Sequence, residues 1–411
     1  MKKITRRTVL RASGLAAASL ALSGCASAGS ACVGNGFSDW LKQTFGKDRA
    51  ASSESAEAAA PDAGTPDAGA ASEPPAESAD TSLPAYNADP LTGDVRRSNG
   101  RIVGVMVNNI SNTQRQNARP QRGIGSADLL IESKVEGGIT RFCAVYYDAN
   151  AIPEVGPLRS GRDQFLQLLM PWQALYYHDG ESAPCTKFIS VYNYSGLNIG
   201  GKSYFNTPTH PHVAHRDSRG RNVAYEHTEF TSGAEIRQAA ANAGIGLEYP
   251  YESTFFRFAD YRTGAENKMT GAAAAKTINI VHSDSYKTTF SYNRWEHTYK
   301  MSMYSRAAGA FENTVDELTG KQLGFTNLLI CFAGIADYPG NSGGVQQVDY
   351  ASGGEAYFFT RGCVQRGTWQ KASPEHPLKA YAADGSEFCF NRGKTYLAIV
   401  DDDEWSNFNY Q

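Results

Sequence analysis

The chain has 411 residues, 39 Lys+Arg against 42 Asp+Glu, and a formal net charge of −3. A body of this size exceeds one typical hydrophobic core and suggests two domains. It has no basic field of the kind that condenses on phosphate backbones, so nucleic acid is excluded as an expected partner.

The first predicted element is an address. Thr5-Arg6-Arg7-Thr8 stands before an apolar run, and the Arg6–Arg7 pair has the form of a bacterial twin-arginine export signal. The run 12–24 is short and rich in Ala, Ser and Gly. A spanning helix needs roughly 20 strongly apolar residues, so this is a signal, and no later segment is long and uncharged enough to span either. The run closes on Leu22-Ser23-Gly24-Cys25, which has the shape of a lipobox: a branched apolar residue, two small residues, and a cysteine whose thiol takes a lipid. Residues 1–24 are therefore expected to be a signal peptide. The mature chain is expected on the extracytoplasmic face of the cell membrane, held by acyl chains on Cys25 that contribute about 0.8 kcal/mol per buried methylene.

Residues 25–88 read as a lipidated N-terminus and tether. Phe37, Trp40, Leu41 and Phe45 form an i, i+3, i+4, i+8 stripe, either a short helix on the membrane surface or an unstructured stub. From Ala50 to Asn87 the chain is Ala, Ser, Pro, Glu and Asp, with Pro-Asp-Ala-Gly at 61–64 and again at 66–69. Nothing there can fill a core. Forty such residues span roughly 35 Å as a flexible coil, enough to stand a domain off the bilayer. Loss of residues 1–24 removes five basic residues, and nine acidic residues with no basic one fall between Ala50 and Asp94, so most of the mature chain's negative charge sits in the tether.

Order resumes near Pro90. The pattern predicts strands over 101–108, 128–136, 140–147 and 174–178, with Gly137-Gly138 as a tight hairpin turn. Ser160 is placed to cap a helix running to Leu169, where Pro171 blocks continuation, and a second helix is expected over 234–243, ended by Gly244. The pattern loosens over 249–271. Strands then dominate, at 278–282, 288–292, 327–332, 355–360, 388–391 and 396–400. The expected fold class is α+β: an N-terminal α/β domain with a mixed sheet over 89–250, and a C-terminal, mainly antiparallel β domain over 272–404. The tryptophans, Trp295 and Trp369 among them, fall in or beside strands and are expected in the core. None of the cysteines beyond Cys25 lies in a Cys-x-x-Cys pair. A chain exported folded acquires its fold in a reducing compartment, which favours buried free thiols. Cys363 and Cys389 are the pair that a disulfide would otherwise join.

Several motifs carry a resemblance. Ala118-Arg119-Pro120-Gln121-Arg122-Gly123-Ile124, Glu136-Gly137-Gly138-Ile139-Thr140-Arg141-Phe142 and Gly156-Pro157-Leu158-Arg159-Ser160-Gly161-Arg162-Asp163 resemble the YerB family of bacterial lipoproteins. Ala174-Leu175-Tyr176-Tyr177-His178-Asp179-Gly180, Arg216-Asp217-Ser218-Arg219, Gly367-Thr368-Trp369-Gln370-Lys371, Asp384-Gly385 and Asn391-Arg392-Gly393-Lys394-Thr395 continue it to about residue 402. Glu226-His227-Thr228-Glu229-Phe230-Thr231-Ser232 is similar to the family's Pro-His-Asn-Leu-Tyr-Thr-Ser stretch, keeping His227 and departing at Glu226 and Thr228. The resemblance implies an α+β envelope lipoprotein with an N-terminal and a C-terminal domain. It implies no reaction.

The candidate site is built from Arg159 and Arg162 at a predicted helix start, where Arg forks and backbone N–H groups favour carboxylates or phosphates. Glu132, Glu136, Arg141, Asp163 and His178 would join them at strand ends, with His227 from the similar stretch. One reading is a pocket for an anionic cell-wall component; the other is an internal salt-bridge network tying Glu136 to the arginines. As a hydrolase of peptidoglycan or a related glycan the site would need two carboxylates. Glu132 and Glu136 stand roughly 13 Å apart along a strand, beyond the roughly 5–9.5 Å of glycosidase pairs, leaving Glu136 with Asp163 or His178. His210-Pro211-His212-Val213-Ala214-His215 with Asp217 is dense in ligands, yet loop geometry does not preset three rings, so a surface loop and no metal is expected. Asn391–Thr395 lacks phosphate-loop spacing and reads as a hairpin turn. No cofactor is expected. The expected partners are the membrane, through Cys25, and a cell-wall glycan or an envelope protein.

Overall fold

The computed structural model describes residues 87–203, 208–341 and 343–411. Arg6, Arg7, Cys25, Cys32, the stripe at 37–45 and the tether up to residue 86 lie outside the described residues. Among the described residues, no helix is long and apolar enough to cross a membrane.

In chain order, the first part forms β1 (Ile102–Asn108), β2 (Leu129–Lys134), β3 (Thr140–Tyr147), α1 (Asp163–Leu169), β4 (Leu175–Tyr177), α2 (Ala183–Val191), β5 (Asn198–Ile199), β6 (His215–Arg216), β7 (Glu229–Phe230) and α3 (Gly233–Asn242). The second part forms β8 (Ala273–Ala274), β9 (Thr277–Ser283), β10 (Tyr286–Asn293), β11 (Thr298–Ser305), β12 (Ala310–Asn313), β13 (Gly324–Phe325) and β14 (Asn327–Ala333). It continues through β15 (Ile335–Asp337), β16 (Gln346–Val348), β17 (Gly354–Thr360), β18 (Cys363–Gln370), β19 (Lys379–Ala382), β20 (Thr395–Asp401) and β21 (Asn409–Tyr410). The fold is α+β, with a mixed sheet in the N-terminal part and mainly antiparallel strands in the C-terminal part.

The two parts meet in one sheet. Its path runs β19-β18-β17-β14-β20-β2-β3-β1-β4-β5, with β8 on the edge of β18. β20 lies parallel to β14 on one side and to β2 on the other. Such central strands are covered on both faces and read as continuous apolar runs, which is why β1, β14 and β20 are buried throughout. Alternate residues enter two cores. Ile131, Val145, Leu329 and Ile399 face one core with Phe165 and Leu169 of α1 and Phe188 of α2. Leu130, Ala144, Ile330 and Ala398 face the other with Ile278, Phe290 and Met301 of the second sheet, β12-β11-β10-β9-β21. Gly104 admits α1 closely: a Cβ there would stand 2.3 Å from a Leu169 methyl.

Several expectations are corrected. Ser160 does not cap α1. The Gly161 N–H donates to the Gly180 carbonyl at 2.8 Å, which ties 160–161 to the strand ends, and the helix starts after Arg162. The helix does end at Leu169 as expected before Pro171, which sits in the 3-10 turn Met170–Trp172, where its missing N–H costs no helical bond. The β2–β3 hairpin uses a wider turn than Gly137-Gly138 alone, because Lys134 pairs with Thr140. Residues 388–391 form no strand: Phe390 makes one isolated bridge, to Phe258, and Glu387 just before the segment makes another, to Tyr381. α2, β11 and β18 had not been expected; Ser182 caps α2 by accepting from the Cys185 N–H, with Pro184 in the first turn. Segment 251–271 is largely irregular yet buries Tyr251, Phe255, Phe256, Phe258 and Met269. Trp295 is 79% exposed on the β10–β11 turn, stacked under Arg294, whereas Trp369 is fully buried. Cys143, Cys185, Cys331, Cys363 and Cys389 are free thiols, and burial raises the pKa of the first three.

Candidate functional site

β2 ends at Lys134, so Glu136 lies in the turn beyond it rather than on a strand face with Glu132. From that turn its carboxylate accepts from Arg162 Nε at 2.5 Å and stands 3.7 Å from Arg141 Nη2. Burial alone would raise the Glu136 pKa, but Arg162 and Arg141 outweigh it and hold the carboxyl below its usual range. Arg162, 8% exposed, also donates to the Gly161 carbonyl at 2.7 Å. Arg141 donates to the Ser160 carbonyl at 2.5 Å, and its Nε is buried without a hydrogen bond. Burial and the neighbouring Arg162 and Arg159 push the Arg141 pKa well below the usual guanidinium range. The internal network foreseen for Glu136 therefore takes up Arg141 and Arg162.

Arg159 is different. Its backbone N–H donates to the Met106 carbonyl at 3.0 Å, which seats it beside the carboxyl end of β1. The side chain is half-buried and makes no hydrogen bond or ion pair among the described residues. Its charge is felt by Arg141 on one side and by His227 and Glu226 on the other. His227 Nδ1 accepts from the Asn108 amide at 3.0 Å and Nε2–H donates to Gln116 Oε1 at 2.8 Å. Burial, with Arg159, Arg219 and Arg221 adding to it, lowers the His227 pKa to about 4, so the ring is neutral. The result is two guanidinium groups, Arg141 and Arg162, on the Glu136 carboxylate, with a third, Arg159, uncommitted and near enough to Arg141, His227 and Glu226 for its charge to act on each.

The other candidates are held elsewhere. Glu132 is fully buried between the two sheets. It accepts from Tyr396 Oη at 2.6 Å, Thr140 Oγ1 at 2.7 Å, Thr288 Oγ1 at 3.2 Å and Asn109 Nδ2 at 3.3 Å. Asp163 is fully buried, accepting from Tyr338 Oη at 2.6 Å and Gln167 Nε2 at 3.2 Å, and burial pushes its pKa up to about 6. His178 is fully buried against Gly200, where a Cβ would stand 2.1 Å from the ring. Its nitrogens face the Gly180 carbonyl at 2.6 Å and Asn198 Oδ1 at 2.7 Å. Burial lowers its pKa to about 4 although both oxygens favour the protonated ring. Side chains this enclosed do not reach a polymer outside the protein.

The histidine-rich loop is dispersed by the fold. His215 faces Glu235 at 2.9 Å and Glu154 at 3.2 Å, while His212 Nε2 faces Glu229 at 3.0 Å and Asp179 at 3.9 Å. Asp179, His212 and Glu229 bring their ligand atoms within 4.8 Å of one another. No spacing in the sequence marks this group, because its members come from three separate segments.

Comparison with known proteins matches the same span. The family model described as "Protein of unknown function (DUF3048) N-terminal domain" matches residues 91–246, and the corresponding C-terminal domain matches 277–397. The sequence is 29% identical over 325 residues to the "Putative lipoprotein YerB" of Bacillus subtilis (strain 168), covering 76% of this chain and 86% of that one. A crystal structure of the YerB protein from Bacillus subtilis has a TM-score of 0.60 at 25% identity, covering 79% of this chain and 99% of the solved one.

Proposed function

Since the chain belongs to the YerB-like family of bacterial lipoproteins, we propose that it is a lipid-anchored envelope module that binds an anionic cell-wall component, without catalysis, through Arg159. The anchor is the acylated Cys25 behind the Arg6–Arg7 signal, and the acidic tether carries the folded body away from the extracytoplasmic face of the membrane. Cys25→Ala is expected to move the protein from the membrane fraction to the soluble extracytoplasmic fraction. Persistence in the membrane fraction would remove the anchor from this reading.

The observation that carries the binding role is the uncommitted Arg159 guanidinium. Arg141 and Arg162 are fixed by Glu136 and by carbonyls, so they supply field and shape. Arg159 keeps its planar fork for a two-point contact with a carboxylate or phosphate. A partly buried cation next to other cations is expensive to maintain, and an incoming anion relieves that cost. In co-sedimentation with purified sacculi that retain their anionic polymers, Arg159→Gln is expected to weaken binding at least tenfold, about 1.4 kcal/mol, with the melting temperature unchanged. Binding by the wild type should fall as salt rises. Equal sedimentation of variant and wild type would overturn the assignment. Capture of an envelope protein instead of sacculi would replace the ligand class.

A further inference from the structure

Asp179, His212 and Glu229 converge at a sheet edge where ligands collect in open α/β folds. Asp179 stands just past the carboxyl end of β4, which runs parallel to both β1 and β5, and such carboxyl ends are the usual binding crevice. Glu229 opens β7, and His212 approaches β6 from the preceding loop. The two carboxylates and the imidazole are oriented by packing around them. The ring of His212 meets Tyr177 edge-on at 6.4 Å, and its back lies on Gly201, where a Cβ would stand 2.4 Å from Nδ1. Arg216 Nη2 donates to the second oxygen of Glu229 at 2.9 Å, leaving the first oxygen to face His212. Asp179 is partly exposed, at 29% for its side chain, against 14% for His212 and 12% for Glu229, so the group is open on the Asp179 side.

We propose that Asp179, His212 and Glu229 form a divalent-cation site that takes zinc or manganese through one imidazole nitrogen and two carboxylate oxygens. That donor set mixes a borderline nitrogen with hard oxygens, and three protein ligands leave a coordination position open. Two carboxylates brought, with the imidazole, to within 4.8 Å of one another repel. A cation between them removes that repulsion. With the metal on Nε2, the ring proton moves to Nδ1, which is buried without a partner. Metal-bound imidazoles usually donate that proton to an acceptor, and losing such a partner costs 10–100-fold in affinity. The site is therefore expected to bind more weakly than one whose imidazole has such an acceptor, as a tunable site rather than a permanent structural one.

The test is calorimetric titration of the full-length, detergent-solubilised protein, untagged and stripped with chelator, using zinc chloride or manganese chloride alone. One ion per chain is expected. Asp179→Asn and His212→Ala should each weaken binding at least tenfold, and His210→Ala should leave it unchanged. Should His212→Ala fail to fold, the partly exposed Asp179→Asn decides. Absence of saturable binding by either metal, or binding that survives Asp179→Asn in folded protein, would overturn the site. The readout is independent of Arg159 and of any cell-wall ligand.

Discussion

Glu132→Ala is expected to lower the unfolding free energy by about 3–5 kcal/mol, because several buried donors lose one shared acceptor at about 1–3 kcal/mol each. The carboxylate joins parts of the chain far apart in sequence: Asn109 beside β1, Thr140 in β3, Thr288 in β10 and Tyr396 in β20. His282 of β9 approaches within 3.7 Å. Alanine takes the acceptor from the buried Tyr396, Thr140 and Thr288 hydroxyls, while Asn109 keeps its bond to Thr140 Oγ1 at 2.7 Å, and each unpaired buried group carries its own desolvation cost. Glu132→Gln should cost less, because its amide oxygen still accepts from Thr140 and Asn109. Chemical denaturation of the three proteins separates the cases. A loss below about 1 kcal/mol for Glu132→Ala, the usual worth of one neutral hydrogen bond, would show that the network does not couple the sheets.

Trp369→Ala is expected to lose roughly 3–5 kcal/mol by opening a cavity in the helix-side core. The indole is fully buried, meets Tyr350 edge-on at 6.0 Å, and its Nε1–H donates to the Phe332 carbonyl at 2.8 Å. Gly354 makes room for it, since a Cβ there would stand 2.8 Å from Nε1. Trp369→Phe keeps most of the packing and gives up the hydrogen bond, so it should fall between wild type and alanine. Denaturant midpoints measured at constant slope test the ordering.

The regular part of this structure was legible because burial leaves a period in the chain. β1, β3 and β20 are apolar runs bounded by polar or Gly-containing turns, and their ends were readable within a residue or two. α2 was missed because its apolar positions are interrupted by Thr186 and Lys187, although Ser182 and Pro184 marked its start. Ser160 carried a false cap signal: the backbone bond from Gly161 to Gly180, a partner 19 residues away, overrode local preference. Trp295 and Trp369 both sit near strand residues, and only the course of the neighbouring strands decides which indole is covered.

Of the candidate site, the pairing of Glu136 with Arg141 and Arg162 was foreseen as one of two alternatives. The role left to Arg159 was not visible, since nothing local distinguishes it from Arg162 three residues on. The placement of β20 separated Glu132 from the arginine cluster by giving it Tyr396 as a partner. The cluster of Asp179, His212 and Glu229 likewise depends on long-range placement of a strand end, a loop and a hairpin.

The position of β20 sets a condition on biogenesis. Leu129–Lys134 acquires its outer neighbour only from residues 395–401, so the ribosome must deliver more than 260 further residues before that edge can close. Until then an apolar strand stays open to pairing with any other extended segment. An exporter of folded cargo, the route proposed from the Arg6–Arg7 signal, would hold the chain inside until β20 has docked.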